Sequence, residues 1–272
     1  MNRYYKVQTN QAVASALVAA ATSANAGIII PAGDWTLDIN GNVNAYATWT
    51  DADRAKGVVT GGIAATPDAA GEKNTQSINT GLLPAWLGFS GKTRQNDLDV
   101  AFTISFQPNV SDNGAAGDAN TPLNRQAFIT FGDKSWGSIK LGKDIGIFAQ
   151  EAILNDMTLL GVGGGAASSG TATTLGGIGT GYIYAAWKGQ IAYTSPNWNG
   201  FSFTAGITNP NQVSNSGLGE TLYQDRFGFE GKAQYEFAGD VAGKVWASAA
   251  SYDVTSAVGV PSADSYTANA WD

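Results

Sequence analysis

The sequence predicts an all-β fold: a transmembrane, antiparallel, up-and-down β-barrel. Three observations predict it. One segment alternates in polarity for too long to be an ordinary strand, the composition is poor in charge, and the connections between strands alternate in length. In the segment 35–50, Trp35, Leu37, Ile39, Gly41, Val43, Ala45, Ala47 and Trp49 occupy the odd positions. Thr36, Asp38, Asn40, Asn42, Asn44, Tyr46, Thr48 and Thr50 occupy the even ones. A period of two sends each set to its own face of a strand. Strands of soluble domains run to about 5–6 residues, whereas a tilted membrane strand needs roughly 9–11. At ~3.3 Å per residue the two tryptophans stand ~46 Å apart along one strand. Tilted by ~40°, that span approaches the depth of a bilayer with its interfaces. An apolar stripe with an aromatic at each end suits a lipid-facing strand. A long edge strand of a soluble sandwich is the other reading of this segment.

The composition agrees with a membrane barrel. Charged residues make up 14% of the 272, below the ~25% of soluble domains. Gly (35 residues) and aromatics (11%) favour strands and turns over helices. Past the N-terminus no run of ~18 apolar residues offers a transmembrane helix. The mean hydropathy of -0.10 fits a barrel, because half of the strand residues face water. There is no Cys and no His. That removes disulfides, thiolate and imidazole metal sites, and the Ser-His-Asp and Cys-His nucleophilic sites. A formal charge of -7 and a pI near 4.5 lack the basic footprint that nucleic acid requires.

The N-terminus has the pattern of an export signal. Arg3 and Lys6 precede the weakly apolar stretch AVASALVAAAT (12–22), and Ala24-Asn25-Ala26 forms an A-x-A cleavage pattern before Gly27. An Ala-rich helix is the alternative. The expected organisation is a signal peptide over 1–26 and a single barrel domain over 27–272. Cleavage would remove two positive charges and no negative one, taking -7 to -9.

Further strands follow in order. Residues 98–107 alternate in the opposite parity, with Leu98, Val100, Phe102, Ile104 and Phe106 on one face. Residues 201–208 place Phe201, Phe203, Ala205 and Ile207 against Ser202, Thr204, Gly206 and Thr208. Residues 226–237 place Phe227, Phe229, Tyr235 and Phe237 opposite Arg226, Glu230, Lys232 and Glu236. Weaker strands fit at 83–92, 125–131, 138–142, 190–194 and 244–253, and a last one begins near Tyr266. The gaps alternate long and short: 51–82, 93–97, 108–124, 132–137, 143–189, 195–200, 209–225, 238–243 and 254–265. Outer-membrane barrels have short periplasmic turns and longer external loops. The short gaps carry turn chemistry, as in Asp133–Gly137 and Ser195–Gly200. Gly163–Gly165 lacks the strand-to-helix setting and the Lys of a phosphate loop, so it reads as tight backbone bends.

Three segments resemble the general-diffusion porins of Gram-negative bacteria, in particular the betaproteobacterial type. They are GLLPAWLGFSG (81–91), NRQAFITFGDKSWGSIKLGKDIGIF (124–148) and QIAYTSPNWNGFSFTAGI (190–207). The second resembles that family's hairpin with an RQ-aromatic arm, a short Gly turn and a basic-Leu-Gly-basic arm. The third resembles its Y-x-SP-x-x-x-GF hairpin. The resemblance runs from about 34 to 253. It implies a sixteen-stranded, trimeric outer-membrane barrel whose third external loop folds inward, and 143–189 is the third long gap. Only nine strands and the start of a tenth are legible. The chain also ends in Ala270-Trp271-Asp272 rather than the terminal aromatic of such porins. The expectation is a C-terminally truncated barrel that does not close by itself.

The functional expectation is a water-filled channel for passive diffusion of small hydrophilic solutes and ions across the bacterial outer membrane. The alternative is a secreted soluble β-rich binding or adhesive protein. No enzymatic activity and no cofactor are expected. The expected partners are outer-membrane lipid, the solutes themselves and, when full length, two further copies in a homotrimer. By parity, Asp38, Asn40, Asn42, Lys92, Asp99, Lys140, Arg226, Glu230, Lys232 and Glu236 line the pore, and Asp97 and Lys244 share that parity. Lys143 joins them if the strand bends at Gly142. The long loop would bring Glu151 and Asp156 to a constriction, with a short helix over 149–157 and an apolar cluster that includes Ile145, Ile147 and Phe148. Facing Lys140, those acids would set a transverse field and a mild preference for cations.

Overall fold

The computed structural model describes residues 27–43, 45–51, 74–79, 85–108, 123–155, 185–210, 220–221, 226–256 and 266–272. The candidate signal segment 1–26 and Asp156 lie outside the described residues. The chain is a succession of antiparallel strands. They are β1 (Ile28–Ala32), β2 (Trp35–Asn42), β3 (Tyr46–Asp51), β4 (Asn74–Asn79), β5 (Trp86–Gln95), β6 (Leu98–Gln107) and β7 (Leu123–Asp133). After β8 (Gly137–Ile145) comes a short helix, α1 (Gln150–Leu154). Then follow β9 (Trp187–Thr194), β10 (Phe201–Thr208), β11 (Glu220–Thr221), β12 (Gly228–Phe237), β13 (Gly243–Ser256) and β14 (Tyr266–Trp271). Among the described residues no helix is long and apolar enough to cross a membrane.

Twelve strands form one sheet in the order β1-β2-β5-β6-β7-β8-β9-β10-β12-β13, with β11 and β14 both on β13. Neighbours along the chain are neighbours in the sheet, which makes an up-and-down meander. Ten of these strands answer to the ten alternating segments of the sequence, and β6 and β10 keep the expected bounds. Among the described residues no pairing joins β1 to β14.

Three differences from the expected strands have physical reasons. The segment 35–50 is two strands, not one: β2 ends at Asn42, and among the described residues β3 pairs only with β4, in a separate two-stranded sheet. The break follows Asn40-Gly41-Asn42, where Asn and Gly have low strand preference and favour turns. Strand β1 is additional. Its Ile28-Ile29-Ile30-Pro31 does not alternate, and Pro31 is tolerated because β1 lies at the sheet edge. Strands β4 and β11 are also additional and lie inside the long gaps.

The short connections are tight. Asn96 and Asp97 both have positive φ (48° and 62°) between Gln95 and Leu98, which pair. Two positive-φ residues define the turn that suits right-twisted strands, and Asn and Asp tolerate that region. Asp97 therefore belongs to a turn rather than to the sheet. At the next turn, Asp133 Oδ1 accepts from the Ser135 amide at 2.9 Å.

Candidate functional site

The register sorts the side chains into two continuous rows. On one face, Leu37, Gly91, Phe102, Ile129, Leu141, Ile191, Ile207 and Phe229 stand opposite one another from β2 to β12. One residue along, Lys92, Ala101, Thr130, Lys140, Ala192, Gly206, Glu230 and Ala250 form a row of the other face. A one-residue slip anywhere would mix the two. The apolar face is open: Ile129, Leu141, Ile191 and Phe229 are 42, 49, 46 and 65% exposed. The other face holds the buried polar residues, among them Ser105, Asp144, Lys188, Gln190, Thr208 and Glu230. A soluble sheet has the reverse arrangement, with apolar side chains covered and polar ones wet.

The polar face is covered in part by the chain that follows β8. Residues 146–155 leave β8, cross that face and meet β12 and β13. The amides of Ile147 and Phe148 donate to Glu230 Oε2 at 2.7 and 3.0 Å. The amide of Ala149 donates to Ser248 Oγ at 3.1 Å. Phe148 and Ala149 are buried with Ala185 and Ala250, and Ile145, Tyr252 and Ala270 pack against them. The residues that follow form α1, within the expected 149–157.

Two ionic clusters fix this segment. Glu230 has its side chain fully covered. It accepts from Lys188 Nζ at 2.5 Å and from the hydroxyl of Tyr252. Glu151, on α1, accepts from Lys232 and, at 3.0 Å, from Lys244, while Lys244 also lies 3.7 Å from Glu236. Burial works against the charge of Glu151. The hydrogen bonds from Lys232 and Lys244 outweigh it and hold the carboxyl below its ordinary range. A third cluster lies at β6–β8: Ser105 Oγ donates to Gln126 at 2.9 Å, and Gln126 Nε2 and Lys140 Nζ both donate to Asp144. Lys140 also sits 4.7 Å over the Phe128 ring.

The expected site residues fall as follows. Lys92, Lys140 and Glu230 share one row of the polar face, and Asp38, Asn40, Asn42, Lys232 and Glu236 have its parity. Asn40 Oδ1 accepts from Trp86 Nε1 at 3.3 Å, and Asn42 is buried. Asp99 is held by Arg94 at 2.8 Å beside the 96–97 turn, and Arg94 also reaches Asp133 at 2.8 Å. Arg226 precedes β12 and pairs with Asp253 at 3.1 Å, exposed to solvent. Glu151 meets Lys232 and Lys244 rather than Lys140, whose partner is Asp144. The register runs on past Gly142, so Lys143 keeps the parity of Leu141 and belongs to the apolar face.

Lys188, Tyr252, Asp144 and Ser248 escaped the sequence reading. Asp144 and Lys188 lie just beyond the strand ends drawn at 142 and 190. Extending the alternation by two residues would have placed both.

Two solved structures show a likeness to this chain. An anion-selective porin from Comamonas acidovorans is 15% identical, with 83% of this chain and 75% of that chain covered, at a TM-score of 0.42. A Salmonella typhi OmpF complex with Daunomycin is 18% identical, with 84% and 68% covered, at a TM-score of 0.38. No curated protein sequence matches the chain. The family model described as Gram-negative porin matches residues 12–270. With a match over nearly its whole length, an all-antiparallel meander and an exposed apolar face, the chain belongs to the Gram-negative porin family: it is an outer-membrane protein that forms a water-filled channel, and the reading as a soluble secreted protein falls.

Proposed function

We propose that the polar face is the pore lining and that residues 146–155 set its narrowest point, with Glu151, Lys232, Lys244 and Glu236 as the charges nearest the passing solute. The docking of the Ile147, Phe148 and Ala149 amides on β12 and β13 carries this reading. A segment tied to strands three and four places along the sheet lies across the face that would enclose the lumen. Asp38, Asn40, Asn42, Lys92, Asp99 and Lys140 line the wider remainder, and Asp156 follows α1 in the chain. The solutes are small, hydrophilic and unselected by chemistry. Glu151 is matched by two lysines, and Glu236 lies beside one of them. Two acids and two bases at one place leave little net field, so any preference for cations is slight.

The same reading includes cleavage after residue 26, contact of the apolar face with outer-membrane lipid, and a homotrimer. Liposome swelling with sugars of increasing size tests the pore. Swelling that falls with sugar size, and a larger size limit after deletion of 150–155, are the expected results. No swelling, or a size limit untouched by the deletion, overturns the constriction. Gel mobility without heating, followed by native mass spectrometry, tests the trimer independently.

A further inference from the structure

The apolar face is not uniform. A groove of about 240 Å³ crosses it near the end of β8. Leu141, Ile191, Ile207 and Phe227 form its sides, and Gly189 forms its floor, with Asn209 beside it. Register explains the depression. Lys143, Gly189 and Asn209 stand side by side on β8, β9 and the end of β10, and Gly189 contributes no side chain. A Cβ built there would come within 2.9 Å of Asn209 Nδ2, the end of a side chain that can turn away. The groove is therefore open because of one glycine.

Its surroundings are cationic. Lys143 has the parity of Leu141 and donates to the Asn124 carbonyl at 2.8 Å, which leaves further N–H groups on its ammonium. Arg125 lies 5.6 Å over the Trp187 ring, and Trp187 shares the parity of Gly189 and Ile191. A tryptophan stacked by a guanidinium at a strand end is suited to the level of lipid headgroups. Among the described residues no acidic side chain lines the groove.

We propose that this groove seats an acyl chain of a phosphate-bearing membrane lipid, with its phosphate held by Lys143 and approached by Arg125. The apolar sides are the right chemistry for a hydrocarbon chain, and the two cations complement an anionic headgroup rather than a second copy of this apolar face. The inference rests on the outer-membrane placement that the family fixes and not on the pore assignment.

The test uses the full-length protein, folded in detergent and stripped of lipid. Native mass spectrometry then follows titration with phosphatidylglycerol, phosphatidylcholine of the same chains, and free glycerol phosphate. One retained phosphatidylglycerol per chain is expected, held more tightly than phosphatidylcholine, with no retained glycerol phosphate. Lys143→Gln and Arg125→Gln should each weaken retention about fivefold, as expected for one basic side chain at an anionic lipid. Gly189→Leu should abolish it, and Gly189→Ala should weaken it. Heat-modifiable mobility and liposome swelling show whether each variant has folded and whether the channel persists. Equal retention of both lipids, retention undiminished in correctly folded Gly189→Leu, or tight binding of glycerol phosphate overturns the proposal. So does a dimer that forms as lipid is removed and dissolves in Gly189→Leu, which would assign the groove to a second copy. Lost swelling with lipid retention intact would instead count against the pore reading alone.

Discussion

Lys188 Nζ and Glu230 Oε1 lie 2.5 Å apart with side chains 6% and 0% exposed. They join β9 to β12 across β10, and the same carboxylate receives the two amides that begin the inward segment. Breaking such a buried pair leaves an uncompensated charge, which costs about 3–5 kcal/mol. Glu230→Ala should therefore lower the stability of the folded chain by about that amount, and Lys188→Met should do so too. The double variant should cost less than the sum. Urea titration followed by tryptophan fluorescence measures this. Additive losses would show that the pair is not one unit.

Glu151 holds two lysines. Replacing it with Gln removes one negative charge and leaves Lys232 and Lys244 without their shared carboxylate. The reversal potential in a salt gradient should move toward anions, with single-channel conductance changed by less than twofold. Asp144→Gln at the β8 wall serves as the comparison, since among the described residues the one cation it frees is Lys140, with Gln126 its neutral partner. A reversal potential that does not respond to Glu151→Gln would place this cluster away from the permeation path.

The same carboxyl gives the inward segment an acid limit. Its ordinary value is 4.5, and in the folded chain it is held lower. A depressed carboxylate contributes stability that is fully present above its unfolded value and is lost as pH falls through its folded value. Docking of 146–155 should thus persist at pH 5 and weaken below 4.5. Protease sensitivity of this segment, followed from pH 6 to pH 3, should rise only in the lower part of that range. Glu151→Gln should be sensitive throughout.

The docked segment can be locked. The Ala149 amide lies 3.1 Å from Ser248 Oγ, and the chain has no cysteine. A protein with Ala149→Cys and Ser248→Cys should form a disulfide on mild oxidation. Conductance should be the same in the oxidised and reduced forms, because the bond fixes an arrangement already present. A large fall in conductance on oxidation would mean that the segment ordinarily sits elsewhere.

Single cysteines also test the two faces. At Leu37, Ile39, Val43, Phe227 and Phe229 they should resist a water-soluble thiol reagent in vesicles. At Asp38, Asn40, Asn42 and Lys232 they should react. At Glu230 labelling should be slow, because that side chain is covered. Reaction of the first group in preference to the second would invert the register.

Much of this fold was legible because alternation is a local property. In β6 and β10 it runs unbroken from end to end, so both strands were bounded from sequence alone. It misled at 35–50, where polar and apolar residues still alternate through Asn40–Asn44 but the backbone has little preference for a strand. It was silent at Ile28–Ala32, an edge strand with three successive isoleucines and a proline. The expectation that the third long connection folds inward rested on its length and on an apolar cluster that includes Ile145, Ile147 and Phe148. The partners of Glu151 were not legible. Lys232 and Lys244 lie 81 and 93 residues away, and parity gives a face without saying which charges meet on it.

The inward segment also sets an order of events in folding. Its anchors on Glu230 and Ser248 lie 82 to 99 residues further along the chain. Closing loops of that size costs entropy before any contact repays it, and contacts of long sequence separation form late. Strands β1 to β9 can pair with their neighbours as soon as each pair is present. The amides of Ile147, Phe148 and Ala149 have no anchor until β12 and β13 have joined the sheet. Docking of this segment on the polar face thus follows the pairing of the strands that carry its anchors.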